Sequence, residues 1–273
     1  MGKKSKGPPP SLTPPLTAEL LASIAYLNEY VGEPGRATLS ALHLVAEAQA
    51  KVADIVRELA AWAAKSAVNR HDLAIAGVIP ALISVCTCGT LAQRELAAHA
   101  LCQLAFNNPI VYGAAKAYTP EFTAFDNVAA MVKLDGIPIM VKGLTDGTRA
   151  QQEHAALAVS YMANTSDRRH AILHAGGLPP LLALVRRYVS SGDALGATAA
   201  RHACQAVGCL TFQNEASQEA VRAVRGEVLL TDLAAGEHTP APLRLVAQFA
   251  LRNLTTTKPD PNAPSPPVAT VAK

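Results

Sequence analysis

Residues 175–185, with the sequence AGGLPPLLALV, combine the end of one helix with the start of another. Gly176 and Gly177 follow a short polar segment, and glycine adopts the left-handed conformation that ends a helix without a steric clash. Pro179 then lies in the first turn of the next helix, where its missing N–H donor is not needed. The stretch predicts a sharp turn between two helices, and the apolar face of the second consists of Leu181, Leu182, Leu184 and Val185.

Partial copies of this stretch recur along the chain. Residues 76–86 (AGVIPALISVC) and 135–144 (DGIPIMVKGL) keep the order of glycine, aliphatic residue, proline and aliphatic run, and residues 225–234 (RGEVLLTDLA) form a weaker copy. Each copy is followed by a polar loop and an alanine-rich segment. The intervals between the matching glycines are 59, 41 and 49 residues for Gly77, Gly136, Gly177 and Gly226. Such intervals indicate an array of helical repeats, whose usual period is about 40 to 47 residues.

The alanine-rich segments identify the type of repeat. Residues 247–254, AQFALRNL, are similar to the A-A-x-A-L-x-N-L pattern of the third helix in armadillo repeats. This resemblance covers roughly residues 69–257. It implies an all-α, right-handed α-solenoid of about four armadillo repeats with an N-terminal helical cap. In that family, the third helices line a concave groove that holds an extended peptide or a partner helix.

Changes in composition along the chain predict its domain organisation. Residues 1–17 are basic and proline-rich and predict a disordered tail, and residues 258–273 predict a second proline-rich, disordered tail. Residues 18–68 contain apolar residues at helical spacing and predict a cap or degenerate repeat, with a long helical stretch, interpreted as two helices, over 36–68. The repeats are expected over 69–257, with an aromatic insertion at 107–126.

The insertion has two interpretations. It is longer than most connections between helices, and it holds apolar aromatic residues, which argue against simple disorder. The segment either packs back on its own array or contacts a partner. The residues that would make these insertion contacts are Tyr112, Tyr118, Phe122 and Phe125.

Composition narrows the class of protein. Half of the residues are hydrophobic and only 4% are aromatic, which predicts a core of small aliphatic side chains. The formal net charge is +3, which Lys3, Lys4 and Lys6 alone would supply, so we expect no nucleic-acid partner. No apolar run reaches the roughly 18 residues that a bilayer requires, so we expect no membrane partner and a soluble protein. We expect a cytoplasmic location, with the cytoskeleton or a cilium as the more specific option.

Signals for catalysis or metal binding are weak. Neither GxGxxG nor GxxxxGK[ST] occurs, and nothing marks a strained nucleophile turn. A cluster of Cys86, Cys88, His99 and Cys102 does not follow a common zinc spacing. His170 and His174 share a helical face but are typical of solvated helix positions. We therefore expect no enzyme, no cofactor and no metal, and reduced thiols at all five cysteines.

The resemblance also implies a candidate binding surface on the third helices. Residues four apart share one face of a helix, so each third helix presents a column of three. From the first to the last repeat, these columns are Glu95, His99 and Gln103; Glu153, Leu157 and Tyr161; Arg201, Gln205 and Cys209; and Leu245, Phe249 and Asn253. Importin-alpha-like members place Trp and Asn at the second and third positions, and only the last column comes close to this. A nuclear-import receptor is therefore disfavoured.

These features predict a non-enzymatic scaffold or adaptor that binds a protein partner's extended peptide or helix in the groove. Glu95, Glu153 and Arg201 would set the register of the partner, and Tyr161 and Phe249 would act as apolar anchors. The alternative is a permanent structural subunit of a large cytoskeletal or ciliary (axonemal) assembly. A metal-dependent enzyme is the remote third option. In both leading hypotheses we expect the protein to be a component of a larger complex.

Overall fold

A computed structural model describes residues 16–32, 42–106, 126–191 and 196–255. Every regular element in these ranges is a helix, which confirms the predicted all-α class. An N-terminal pair consists of α1 (Ala18–Gly32) and α2 (Leu42–Lys65). The helices that follow group in threes: α3 (Ala67–Ile75), α4 (Val78–Cys88) and α5 (Leu91–Ala105); α6 (Asn127–Lys133), α7 (Gly136–Asp146) and α8 (Arg149–Met162); α9 (Ser166–His174), α10 (Leu178–Ser191) and α11 (Ala197–Thr211); and α12 (Glu215–Ala223), α13 (Gly226–Ala235) and α14 (Ala241–Thr255).

The third helices stack side by side along the solenoid. Helix α2 packs on α5, α5 on α8, α8 on α11 and α11 on α14, while α1, α4, α7, α10 and α13 form a second row. Each third helix has a fully buried alanine at the same position, and these alanines are Ala97, Ala155, Ala203 and Ala247. Small side chains at this position allow neighbouring helices to approach closely, and the second row covers their other side.

The turn between the first and second helix of each repeat needs two special residues. The left-handed residues are Gly77, Asp135, Gly176 and Arg225, with φ values of 83°, 58°, 76° and 57°. The next position must be small in three repeats, because a Cβ at Gly136 would lie 2.6 Å from the Met131 carbonyl oxygen and one at Gly177 would lie 2.8 Å from Ile172 Cγ2. Gly77 was expected to align with Gly136, Gly177 and Gly226. In the structure it aligns with the other left-handed residues, so the expected alignment is wrong by one residue at Gly77. Gly177, which was expected to share the left-handed role, has the steric role instead.

The short first helices link successive repeats through buried polar side chains. The Arg70 guanidinium donates to the Ala63 carbonyl (3.0 Å), and that of Arg169 donates to the Ala163 carbonyl (3.3 Å). Gln218 Nε2 makes the same type of bond to the Thr211 carbonyl (3.0 Å). The last carbonyls of a helix have no partner within that helix. The following repeat therefore caps the third helix of the one before it.

The N-terminal region differs from its predicted form. The described part of residues 36–68 contains α2 (Leu42–Lys65) and the first two residues of α3 (Ala67–Ile75). Ser66 separates α2 from α3. Its side chain accepts a hydrogen bond from the Asn69 N–H (3.0 Å) and so caps the start of α3. The first three-helix set therefore begins before Asn69. Residues 1–15 of the first predicted tail, the whole of the second tail (258–273) and nearly all of the insertion lie outside the described residues.

Among the described residues, no single helix is long and apolar enough to cross a membrane. Helices α3 and α4 together meet the length and composition criteria, with a bend of 81° between them.

We expect the substitution Leu182→Ala to lower the free energy of unfolding by about 2 to 5 kcal/mol, since it empties a core position. Leu182 is completely buried in α10, and a Cβ at Gly226 of the next repeat would lie only 3.3 Å from its Cδ1. Urea denaturation of the purified protein measures this change. Ala183→Gln, at the exposed neighbouring position, should stay within about 0.5 kcal/mol of the parent. A loss below about 1 kcal/mol for Leu182→Ala would contradict the burial.

Candidate partner-binding face

The third helices expose one continuous surface, the ladder face, which we define as the columns predicted on α5, α8, α11 and α14. The six residues of the first two columns are all partly exposed, and these are Glu95, His99, Gln103, Glu153, Leu157 and Tyr161. Arg201 and Cys209 of α11 are also partly exposed, and Leu245 of α14 is 65% exposed. The structure therefore places the predicted residues of α5 and α8 on one accessible surface.

The first column is ordered by hydrogen bonds within the array. Thr148 Oγ1, at the N-cap of α8, donates to Glu95 Oε2 (2.9 Å). Gln103 Nε2 lies 3.1 Å from His99 Nε2 one turn away. Glu95 therefore helps to hold α8 beside α5, a structural role that its place in the sequence did not indicate.

Two ring contacts join α5 to α8, the helices that hold the first two columns. The rings of His99 and His154 stack with their centroids 4.5 Å apart and an interplanar angle of 25°. Phe106, at the end of α5, contacts Tyr161 of α8 with a centroid distance of 5.4 Å. His154 was not among the predicted site residues, because it lies beside Glu153 rather than four residues from it. The close approach of α5 and α8 brings it onto the surface.

A third histidine lies on the next helix along. Arg201 Nη2 is 2.8 Å from His202 Nε2, and His202 is only 5% exposed. A guanidinium group can only donate hydrogen bonds, so Nε2 accepts and the imidazole is neutral. Three successive third helices thus place histidines at or beneath the ladder face.

Burial controls the protonation of these groups. Burial lowers the pKa of His99, and burial together with the nearby His99 lowers the pKa of His154 to about 4. Burial, Arg201 and His154 lower the pKa of His202 to about 3, and the Glu153 backbone carbonyl, as a hydrogen-bond acceptor, opposes this effect. Burial raises the pKa of Glu153, and Arg201 opposes this effect. The floor of the face therefore holds neutral imidazoles beside a carboxylate that is poorly hydrated.

At the C-terminal end of the ladder face, Leu245 is exposed and Arg201 and Cys209 are partly exposed, but the other three predicted residues are buried. Gln205, Phe249 and Asn253 are 7%, 8% and 6% exposed. Asn253 Nδ2 donates to the Gly208 carbonyl (2.8 Å), and the Phe249 ring fills the space that Gly208 leaves without a side chain. These three residues were predicted to contact a partner directly. Gln205 is buried, and the side chains of Phe249 and Asn253 are used in packing α11 against α14, which leaves little of the three side chains accessible to a partner.

Helix α2 extends the face at the other end. Its buried residues Val56, Leu59, Ala60 and Ala63 repeat the spacing of Ala97, Ala100, Leu101 and Leu104 in α5. By this register, Asp54, Glu58 and Trp62 occupy the column positions of α2, and Trp62 is partly exposed. Sequence reasoning missed this column because α2 lacks the A-A-x-A-L-x-N-L pattern. The spacing of the buried positions in α2 is the signal that reveals it.

Proteins similar to this chain are found among solved structures. No protein-family model matches this sequence. No curated protein is similar to it in sequence. Among solved structures, the armadillo-repeats-only protein ARO from Plasmodium falciparum has a TM-score of 0.60 at 16% identity, over 88% of this chain and 99% of that one. A designed armadillo repeat protein has a TM-score of 0.50 at 17% identity, over 86% and 99%. The chain has an armadillo-like repeat fold.

Other solved structures with this fold include a complex. A designed armadillo repeat protein bound to the peptide (KR)4 has a TM-score of 0.50 at 17% identity, covering 87% of this chain and 100% of that chain. At these identities the likeness concerns the fold. This likeness assigns no role to the residues of the ladder face.

The cysteines of the armadillo-like array lie mainly in its core. Cys86, Cys102 and Cys204 are buried, and burial raises the thiol pKa of Cys86 and of Cys204 to about 12. No group of three or more His, Cys, Asp or Glu side chains in the described ranges could hold a metal ion. His170 Nδ1 lies 2.9 Å from the Ser166 carbonyl of its own helix. The predicted insertion contacts Tyr112, Tyr118, Phe122 and Phe125 fall outside these ranges.

Gly208→Ala should destabilise the array by about 1 to 3 kcal/mol, because the new Cβ would lie 2.5 Å from the Phe249 ring. Thermal or urea denaturation measures the loss. The double variant Gly208→Ala, Phe249→Leu should recover part of it, since leucine leaves room for the methyl group. If the double variant loses more free energy of unfolding than the two single variants lose together, this packing is contradicted.

The stability of the protein should decrease as the pH falls from about 6.5 towards 4. An unfolded histidine titrates near pH 6.5, and the folded pKa values of His154 and His202 lie below this, so the unfolded state binds more protons in that window. Their contribution is fully present above pH 6.5. Urea denaturation at a series of pH values should show a steeper dependence for the parent than for His154→Gln, His202→Gln. Identical slopes would contradict the predicted shifts.

Proposed function

We propose that this protein is a non-enzymatic interaction scaffold that binds an extended segment of a protein partner on its ladder face. The observation that supports this proposal is the open, continuous surface of α2, α5 and α8. Its columns offer carboxylates, imidazoles and the partly exposed side chains of Trp62, Leu157 and Tyr161. Mixed polar and aromatic surfaces of this kind are typical of sites where a few anchors provide most of the binding energy.

The fold supports the same class of function. Armadillo-like arrays present long surfaces because each repeat contacts only its neighbours. A designed armadillo repeat protein of similar structure binds the peptide (KR)4. We infer that the present chain uses the corresponding surface for a peptide-like segment, without a cofactor or a chemical reaction. Neither nucleic acid nor membrane is among the proposed partners.

A second candidate is a permanent subunit of a large assembly, such as a cytoskeletal or ciliary complex. The observation that favours it is a set of exposed apolar residues away from the ladder face. Ile75, Leu134 and Val224 lie at the turn between first and second helices in three repeats and are 63%, 39% and 43% exposed. A protein with such contacts would be located with its assembly, and a free cytoplasmic adaptor would not need them.

The two candidates differ in which surface a partner needs. Leu157→Lys should reduce recovery of native partners by about tenfold or more, since it places a charge among the anchors of α8. Affinity purification of the tagged protein after cross-linking, followed by mass spectrometry, measures this recovery. Val228→Lys, at an exposed position of α13, is the control and should leave recovery unchanged.

The opposite pattern supports the assembly candidate. Cross-links from several surfaces to several proteins, insensitive to Leu157→Lys, would contradict binding on the ladder face.

A further inference from the structure

A cleft lies at the edge of the array, where α10 ends and where α8 and α11 begin. The exposed residues that line it include Arg149, the first residue of α8, and Arg187 and Ser191 of α10. Two of its other lining residues, Gln152 and Leu184, are buried. The columns of the ladder face begin about one turn further along α8 and α11. This edge cleft is therefore a separate surface beside the ladder face.

The edge cleft has a positive charge. The described residues that line it include two arginines and no aspartate or glutamate. The guanidinium groups of Arg149 and Arg187 come from different helices, α8 and α10, and meet at the same cleft. A concave surface lined by charges of one sign attracts a group of the opposite sign.

One of the two guanidinium groups is held in a defined position. Arg187 Nη1 donates a hydrogen bond to Gln152 Oε1 (2.9 Å), and Gln152 is only 6% exposed. This is the only hydrogen bond that Arg187 forms with a described residue, whereas a guanidinium has several further N–H donors. Arg187 therefore combines a fixed orientation with donors that remain for a second acceptor.

The size of the edge cleft limits the group that enters it. Its volume is about 20 Å³, and a single buried water molecule needs about 10 to 15 Å³. The cleft therefore takes a compact group of a few atoms, and the rest of the ligand lies outside it. Phosphoserine and phosphothreonine carry a compact anion at the end of a short stem, so they meet both conditions.

Arginine is well suited to bind such an anion. The planar fork of a guanidinium matches the spacing of two phosphate oxygens, and the resulting hydrogen bonds are charge-assisted. Recognition of phosphorylated residues by clustered arginines is a recurrent mode of protein interaction. Ser191 adds a hydroxyl group to the lining of the cleft, and a hydroxyl also donates to phosphate oxygens.

We propose that the edge cleft binds the phosphate group of a phosphorylated serine or threonine in a partner protein. Arg149 and Arg187 bind the phosphate oxygens, and Gln152 positions Arg187. This inference goes beyond the proposed function, because it concerns a different surface and holds whether or not the ladder face binds a segment.

The first test uses the full-length protein and fluorescent heptapeptides in an anisotropy titration. The probe has a central phosphoserine flanked by alanine and glycine, and the matched controls have serine or glutamate at the centre. We expect the probe to bind at least about tenfold more tightly than either control, since only phosphate offers a dianion with three acceptor oxygens. Equal binding of the serine peptide overturns an anion site. Equal binding of the glutamate peptide overturns the assignment to phosphate.

A matched pair of variants locates the site. Arg149→Gln, Arg187→Gln should weaken probe binding by about tenfold or more, because it removes both guanidinium groups. The control Arg57→Gln, Lys133→Gln removes two exposed positive charges outside the cleft and should stay within about twofold of the parent. Equal weakening by both pairs would indicate a general attraction and overturn the site.

A single variant separates binding from folding. Arg187→Gln also removes the hydrogen bond to Gln152, so thermal denaturation checks that the double variant is folded. Arg149→Gln leaves that bond in place and should by itself weaken probe binding by about threefold or more. An unchanged affinity for Arg149→Gln overturns the site formed by two arginines.

Other sources of the anion give different results. Inorganic phosphate that displaces the probe at or below the probe's own dissociation constant would identify the free ion as the ligand. Phosphatidylcholine vesicles that bind more tightly than the probe, but only when they contain phosphatidylinositol 4-phosphate, would identify a membrane surface. Asp193→Asn would tighten probe binding about tenfold if the chain's own carboxylate occupied the cleft. Each of these results overturns the proposal of a phosphorylated partner.

A variant of the ladder face distinguishes the two surfaces. Leu157→Lys should leave probe binding unchanged, since Leu157 does not line the edge cleft. Loss of probe binding in this variant would place the phosphate on the ladder face and overturn the edge cleft.

Discussion

The close packing of the third helices is the interaction on which the rest of the structure depends. Ala97, Ala155, Ala203 and Ala247 occupy one position in four successive helices, and all are completely buried. A larger side chain at this position would force the helices apart, because protein interiors have almost no free volume. The short spacing brings His99 into stacking contact with His154 and Phe106 into contact with Tyr161. The chemistry of the ladder face therefore follows from the size of residues beneath it.

The same packing explains why the two ends of the face differ. Gly208 allows α14 to place the Phe249 ring against α11, and Asn253 uses its amide to bond the Gly208 carbonyl. The side chains of Phe249 and Asn253 are thus engaged in helix contacts. At the other end, α2 has no third-helix neighbour before it in the described residues, and its charged residues Asp54 and Glu58 remain exposed. The ladder face is therefore more accessible at its N-terminal end than at its C-terminal end.

Several ionisable groups at or beneath the ladder face are removed from water. His202 is buried beside a guanidinium, and Glu153 is partly buried without a hydrogen bond among the described residues. Hydrophobic residues at such positions would avoid the loss of hydration. Strongly perturbed groups often mark functional sites, since binding requires chemistry that folding does not. The histidine stack and Glu153 lie together on the face where the fold leaves space, and this agreement supports a binding function there.

The helical class, the repeat order and the main core positions follow from the amino-acid sequence alone. The positions of the turns, marked by glycine and proline, and of core residues such as Leu182 depend on local geometry. Short segments of sequence encode that geometry. The left-handed turns at Asp135 and Arg225 do not follow from the sequence, because neighbouring helices impose this conformation on residues that do not prefer it. Nor did the residue columns show that Gln205, Phe249 and Asn253 are buried, or that His154 and Trp62 join the face. Tertiary structure decided these points, since exposure depends on how closely the next helix approaches, and that distance is set by side chains more than forty residues away.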